Sequence, residues 1–151
     1  PGFLPELAGA LPESSILRNY LSRLDMDDCK KIEEAGYLNG LIDLIFRANG
    51  KYYVLDWKSN KLGGSAESFG EKEMEKEMLI HHYVLQYHFY VVATHRFLSS
   101  RMRDYSYERN FGGVYYLFVR GMQIGSPNGI YFDLPNLETI KALEEFLIPK
   151  I

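Results

Sequence analysis

Cysteine is almost absent: Cys29 is the only one in 151 residues, so no internal disulfide can form. That scarcity excludes a disulfide-framed secreted domain and fits a reducing, cytoplasmic setting. Long apolar runs are also missing. No stretch of about 18 apolar residues occurs, which excludes a membrane-crossing helix. The opening PGFLPELAGALPESS has no basic segment ahead of an apolar one and does not read as a signal peptide. Nor is positive charge in surplus: 17 Lys and Arg stand against 20 Asp and Glu, a net charge of -3. Such a balance argues against a chain that simply coats nucleic acid with cations. It is compatible with an enzyme whose acidic site lowers the total. The first residue is Pro1 rather than Met, and the chain reads as a piece of something longer.

What is present is enough apolar material for one ordinary domain, 46% of residues. Residues 1–15 hold three of the six prolines and little periodicity, and read as linker. Ile16, Leu17, Tyr20, Leu21 and Leu24 recur at helical spacing and predict a helix over 16–33. Residues 37–47 and 51–58 read as two strands, and the Gly- and Ser-rich residues 60–70 as a mobile loop. From Glu71 to about Arg103 neither Gly nor Pro occurs. This predicts a long helix with a charged start and an apolar remainder packed on a sheet. Gly112-Gly113 interrupts the pattern, VYYLFVRG reads as a strand buried on both faces, and IYFDL as a short strand. A final amphipathic helix runs through Ile140, Leu143 and Leu147. The order predicts an α/β fold, a mixed sheet with helices against it.

The segment GLIDLIFRANGKYYVLDWKSNKLG (40–63) carries the chemistry. Asn49-Gly50 is the strongest short signal for a type I′ hairpin turn. That turn pairs Ala48 with Lys51, Phe46 with Tyr53, Leu44 with Leu55 and Asp43 with Asp56. Alternation then puts Lys58 on the face of Asp56. Opposed residues have Cβ atoms roughly 4.5–5.5 Å apart, a destabilising distance for two carboxylates. Either one holds a proton or a cation sits between them. A hard ion such as Mg²⁺ takes carboxylate oxygens, and Mn²⁺ or Ca²⁺ suits the same donors. With such an ion the arrangement is a hydrolytic one, in which Lys58 stabilises charge on a phosphoryl group or orients the attacking water. A solvent-facing Asp in a strand is common, and D-x-K alone is weak. Asp43 between Ile42 and Leu44 is the feature that tips the reading toward a metal site.

Gln86 and Tyr90 lie four apart, on one face of the following helix. They either serve the core or bring an amide and a phenol beside the metal site to touch DNA. His81, His82, His88 and His95 include no i, i+4 pair and have no cysteine beside them, which argues against zinc. Arg96, Arg101, Arg103 and Arg109 read as a solvated helix end.

In order, the chain carries G-x-[IL]-D, D-aromatic-K-S-N, L-Q-Y-x-x-Y and F-G-G-V-x-Y-L-F-x-R-G. This succession resembles the C-terminal nuclease domain of the RecB family, the exodeoxyribonuclease V beta subunits, within the PD-(D/E)xK nuclease superfamily. The resemblance runs from about Gly36 to the final helix, three quarters of the chain. It implies a restriction-endonuclease-like mixed sheet flanked by helices and a Mg²⁺-dependent DNA exonuclease. Asp43 and Asp56 then correspond to metal ligands, with the Trp57 backbone carbonyl completing the shell. Lys58 corresponds to the catalytic lysine, and Gln86 and Tyr90 to the family's Q-x-x-x-Y motif, associated with positioning DNA. DNA and RecC-like and RecD-like subunits are the implied partners. One departure stands out: the family takes a further histidine ligand from a helix upstream of the first Asp, and here no histidine precedes His81. Residues 16–151 therefore read as a nuclease-domain fragment lacking that helix, with weakened metal affinity and weak or no activity in isolation. A catalytically impaired binding module is the alternative, and a metal-dependent phosphohydrolase of another kind a third.

Overall fold

The computed structural model describes residues 2–34 and 40–148. Four strands form one sheet in the order β1-β2-β3-β4: β1 (Leu44–Ala48), β2 (Lys51–Lys58), β3 (Phe111–Phe118) and β4 (Ile130–Asp133). The β1/β2 and β3/β4 pairs are antiparallel and β2/β3 is parallel, so the sheet is mixed as expected. The hairpin register is the one the Asn-Gly turn dictates: Leu44 with Leu55, Phe46 with Tyr53, Ala48 with Lys51. Asn49 and Gly50 both adopt positive φ, 49° and 80°, as a type I′ turn requires. Between β2 and β3 the chain crosses over through helices α4 (Glu71–Ile80), α5 (Tyr83–Arg101) and the short α6 (Tyr107–Asn110). α5 lies on β2 and β3 and also meets α7 (Leu137–Leu147), whose first turn is capped by Asn136 accepting from the Thr139 amide at 2.7 Å. Val54, Val114, Tyr116 and Phe118 from the sheet join Tyr87, Val91, Ile140 and Leu143 in the core.

Several expectations need correction. The stretch read as linker contains helix α1 (Phe3–Ala10), whose Leu4 and Leu7 are buried with Leu11 just beyond it. Pro5 is tolerated there because it falls in the first turn, where its missing amide leaves no bond unmade. The predicted helix over 16–33 is two helices, α2 (Ile16–Leu21) and α3 (Met26–Glu34). Asp25 breaks them apart, its carboxylate accepting from the Asp27 and Asp28 amides at the start of α3. The long helix after Glu71 is likewise divided at His81-His82, where His82 takes a left-handed φ of 58° and meets the Tyr20 hydroxyl through Nδ1 at 2.5 Å. The loop over 60–70 holds a 3-10 turn at Ala66–Phe69 that buries Phe69. Gly112 and Gly113 lie within β3 rather than ahead of it, beside an irregularity in the β2/β3 register at Tyr52/Tyr53. Finally, β1 starts at Leu44, so residues 40–43 of the predicted strand are not strand, and 37–39 lie outside the described residues. Among the described residues, no helix is long and apolar enough to cross a membrane.

Candidate functional site

Everything of interest gathers at the open end of the β1/β2 hairpin. Asp56 points from β2 toward α5 and is 4% exposed, whereas Trp57, the next residue, points the other way and is half exposed. Two residues on, Lys58 returns to the Asp56 face, and its Nζ lies 2.7 Å from Asp56 Oδ1. At that distance the contact is a charge-assisted pair, and it is what compensates the buried carboxylate. Burial pushes the Asp56 carboxyl above its ordinary pKa, Lys58 pulls it back, and the Asp43 carboxylate adds to the rise. The expected Asp43–Asp56 rung is not part of the ladder, which ends at Leu44 with Leu55.

Asp43 reaches this place by another route than expected. It precedes β1, is exposed, and sends its carboxylate across to accept the Trp57 amide at 3.0 Å. The amide and carbonyl of one strand residue point to the same side, and the Lys58 carbonyl accepts from Val119 on the β3 side. The Trp57 carbonyl consequently faces the β1 side with Asp43, beyond the last rung of the hairpin ladder.

Helix α5 roofs the site. Gln86 Oε1 accepts from Lys58 Nζ at 3.3 Å and from the Tyr116 hydroxyl at 2.7 Å. The Lys58 ammonium also sits 3.9 Å from the ring centre of Tyr83 and 4.9 Å from that of Tyr116. One turn along α5, the hydroxyl of the buried Tyr90 donates to the Leu41 carbonyl at 2.8 Å, two residues before Asp43. Burial, then Asp56, then Asp43 push the Tyr90 hydroxyl up to about 12. Its phenol is thus turned into the protein, toward the segment that carries the first acid.

Asp43, Asp56, Trp57, Lys58 and Gln86 are brought together directly, and Tyr90 is joined to them through Leu41. Sequence reasoning missed Tyr116 and Tyr83. Tyr116 lies opposite Asp56 in the parallel β2/β3 register, and its hydroxyl in an otherwise apolar strand was the available signal. Among the histidines, buried His88 holds the Val84 carbonyl through Nδ1 at 2.7 Å, His95 meets the Tyr105 hydroxyl, and His81 stacks on Tyr83 with ring centres 5.3 Å apart. Among the described residues, no three His, Cys, Asp or Glu side chains converge on one point. Of the arginines, Arg96 pairs with Glu144 at 2.7 Å, and Arg109 donates to the Asp104 carbonyl.

No family model matches the chain. Curated proteins described as RecBCD enzyme subunit RecB do, among them the following three. The one from Haemophilus influenzae is 47% identical over 109 residues, 72% of this chain and 9% of that protein. The one from Escherichia coli is 47% identical over 111 residues, 73% of this chain and 9% of that protein. The one from Mycobacterium tuberculosis is 40% identical over 149 residues, 93% of this chain and 14% of that protein. The chain thus spans between 9% and 14% of the length of these relatives. The mixed four-stranded sheet with its helices is consistent with an α+β nuclease core. On identity sustained over most of its length, the chain belongs to the RecB family and corresponds to its nuclease-domain region.

Proposed function

We propose that the chain is the Mg²⁺-dependent DNA exonuclease domain of a RecB-like helicase–nuclease, hydrolysing phosphodiester bonds in double-strand-break repair and recombination. One observation carries the reading: Asp43 is bound to the amide of Trp57 while Asp56, the preceding residue, is buried in an ion pair with Lys58. Two acids and a lysine meet at one end of one hairpin.

The donor set fits a hard divalent cation. Asp56 is buried with the Lys58 ammonium on its Oδ1, the Asp43 carboxylate adds to the rise in its pKa, and the Trp57 backbone carbonyl faces the Asp43 side. Carboxylate and carbonyl oxygens are what Mg²⁺, Mn²⁺ or Ca²⁺ accept. Asp43, Asp56 and the Trp57 carbonyl would hold the ion, and a cation there supplies Lewis acidity at the scissile phosphate. Lys58, with its ammonium fixed between Asp56, Gln86 and two rings, stabilises negative charge that develops on the phosphoryl group. Gln86 directs its oxygen at Lys58 and Tyr116, which leaves its amide hydrogens for a DNA phosphate or base. Tyr90 serves DNA positioning indirectly, by holding the Asp43 segment.

With a net charge of -3, the chain relies on other parts of a longer protein, and on RecC-like and RecD-like subunits, to deliver DNA. A RecB-like role belongs in the cytoplasm. A second reading, a nuclease fold kept as a binding module with impaired catalysis, draws on the lack of a third acidic or imidazole ligand among the described residues. A nuclease assay on linear DNA with Mg²⁺ separates the two. Release of nucleotides that ceases in Asp56→Ala and Lys58→Ala supports the first, and DNA binding without cleavage that persists in a longer chain restoring the upstream helix supports the second.

A further inference from the structure

Tyr116 has no part in the site as the sequence describes it, yet it is the most deeply placed polar group there. Its side chain is fully buried in β3, among the apolar residues of the sheet, and sits beside Asp56 in the parallel register. A phenylalanine would fill the same volume without a hydroxyl to desolvate, so the hydroxyl needs a partner that justifies its burial. That partner is Gln86 Oε1 at 2.7 Å, the oxygen that also accepts from Lys58 at 3.3 Å.

A carboxamide oxygen has two lone pairs, and here Tyr116 and Lys58 occupy both. If the amide turned over, its NH₂ would face the ammonium, donor against donor, so Lys58 sets which way the amide points. The Tyr116 hydroxyl makes the shorter contact to the same oxygen, 2.7 Å against 3.3 Å, and so anchors the place from which Gln86 presents it to the ammonium. The ring of Tyr116 bounds the same ammonium at 4.9 Å, adjacent to a second wall made by Tyr83 at 3.9 Å, the two ring centres standing 5.6 Å apart.

We infer that Tyr116 is a positioning residue for Lys58, acting through Gln86. The inference rests on the reading of Lys58 as the group that acts on the phosphate. Tyr116→Phe keeps the ring and deletes only the hydroxyl. Losing one neutral hydrogen bond at the site should lower kcat on linear DNA about five- to tenfold. KM for DNA and the Mg²⁺ concentration at half-maximal rate should stay within about twofold, because neither the carboxylates nor the outer surface changes. Adding Tyr116→Phe to Gln86→Ala should cost nothing further, because the two act in series.

A second measurement is independent of cleavage. Held over two rings, the Lys58 Hε protons are displaced by ring currents in the NMR spectrum, and in Tyr116→Phe they should move toward the values of a free lysine. The inference is overturned if Tyr116→Phe retains wild-type kcat, if its effect adds in full to that of Gln86→Ala, or if the Lys58 Hε resonances do not move. If Lys58→Ala cuts DNA as the wild type does, the functional reading fails instead; the chain by itself is expected to cut weakly or not at all, and kcat is then read in a longer chain that restores the upstream helix. The Lys58 resonances then decide the structural claim by themselves.

Discussion

The Trp57 amide donates to Asp43 Oδ2 at 3.0 Å, so the carboxylate ahead of β1 is tied to the strand that carries the other carboxylate. The tie lets an exposed residue on a segment outside the ladder keep a defined place next to buried Asp56. Asp43→Asn preserves an oxygen for the Trp57 amide and removes the charge. Its melting temperature should match the wild type without metal. At a Mg²⁺ concentration about ten times Kd, ligand linkage stabilises the wild type by about 1.4 kcal/mol, roughly 3–6 °C for a chain of this size. Asp43→Asn should show no such rise. Because Asp56 keeps its proton to higher pH than an ordinary aspartate, the Mg²⁺-dependent rise should shrink as the buffer is made acidic.

Tyr90 and Gly40 form the other half of the support for Asp43. A Cβ at Gly40 would stand 2.6 Å from a ring carbon of Tyr90, so any larger residue there displaces the ring or the segment leading to Asp43. Tyr90→Phe leaves the Leu41 carbonyl without its donor and should cost about 1 kcal/mol in urea denaturation. Gly40→Ala should weaken the Mg²⁺ response at least as much, although neither residue bears a ligand. A full Mg²⁺ response in both variants would contradict a positioning role for this pair.

His88 makes stability depend on pH. It is buried, and burial lowers its pKa to about 4, with Nδ1 donating to the Val84 carbonyl. The unfolded chain takes up a proton near the ordinary value of 6.5, before the folded one does. The neutral ring's contribution is therefore fully present above about pH 6.5 and declines as pH falls toward 4. Over that window the loss amounts to about 3 kcal/mol. Urea midpoints should fall between about pH 7 and 5.5, before most carboxylates titrate, and His88→Phe should flatten that slope.

How much of this was legible beforehand depended on how local the signal was. Asn49-Gly50 dictates its own turn, and the turn propagates the register along the hairpin, so Asp56 and Lys58 could be placed from sequence. Asp43 was placed only roughly, because where a ladder stops depends on what the chain does next, and here it bends before Leu44. Helix α1 went unseen because Pro1, Pro5 and Pro12 masked the i, i+3, i+7 spacing of Leu4, Leu7 and Leu11, a spacing whose meaning comes only from packing on α2, α3 and α7. The break at His81-His82 has no Gly or Pro to announce it. Tyr116 looked like one more apolar residue in a buried strand until its partner on α5 was known.

Helix α1 supplies its own check. Leu7 is fully buried against the helical layer, so Leu7→Ala should destabilise the chain by roughly 2–5 kcal/mol. A loss below about 0.5 kcal/mol, the usual range for an exposed position, would return residues 1–15 to the status of a linker.

The claim at the centre of the account is that Asp43 and Asp56 share one divalent cation. Titrating Mn²⁺ into the chain in a calorimeter tests it without reference to DNA. The wild type should show one saturable site, and Asp43→Ala and Asp56→Ala should each abolish it while keeping the folded circular-dichroism spectrum. An undiminished isotherm in folded Asp56→Ala would contradict the claim.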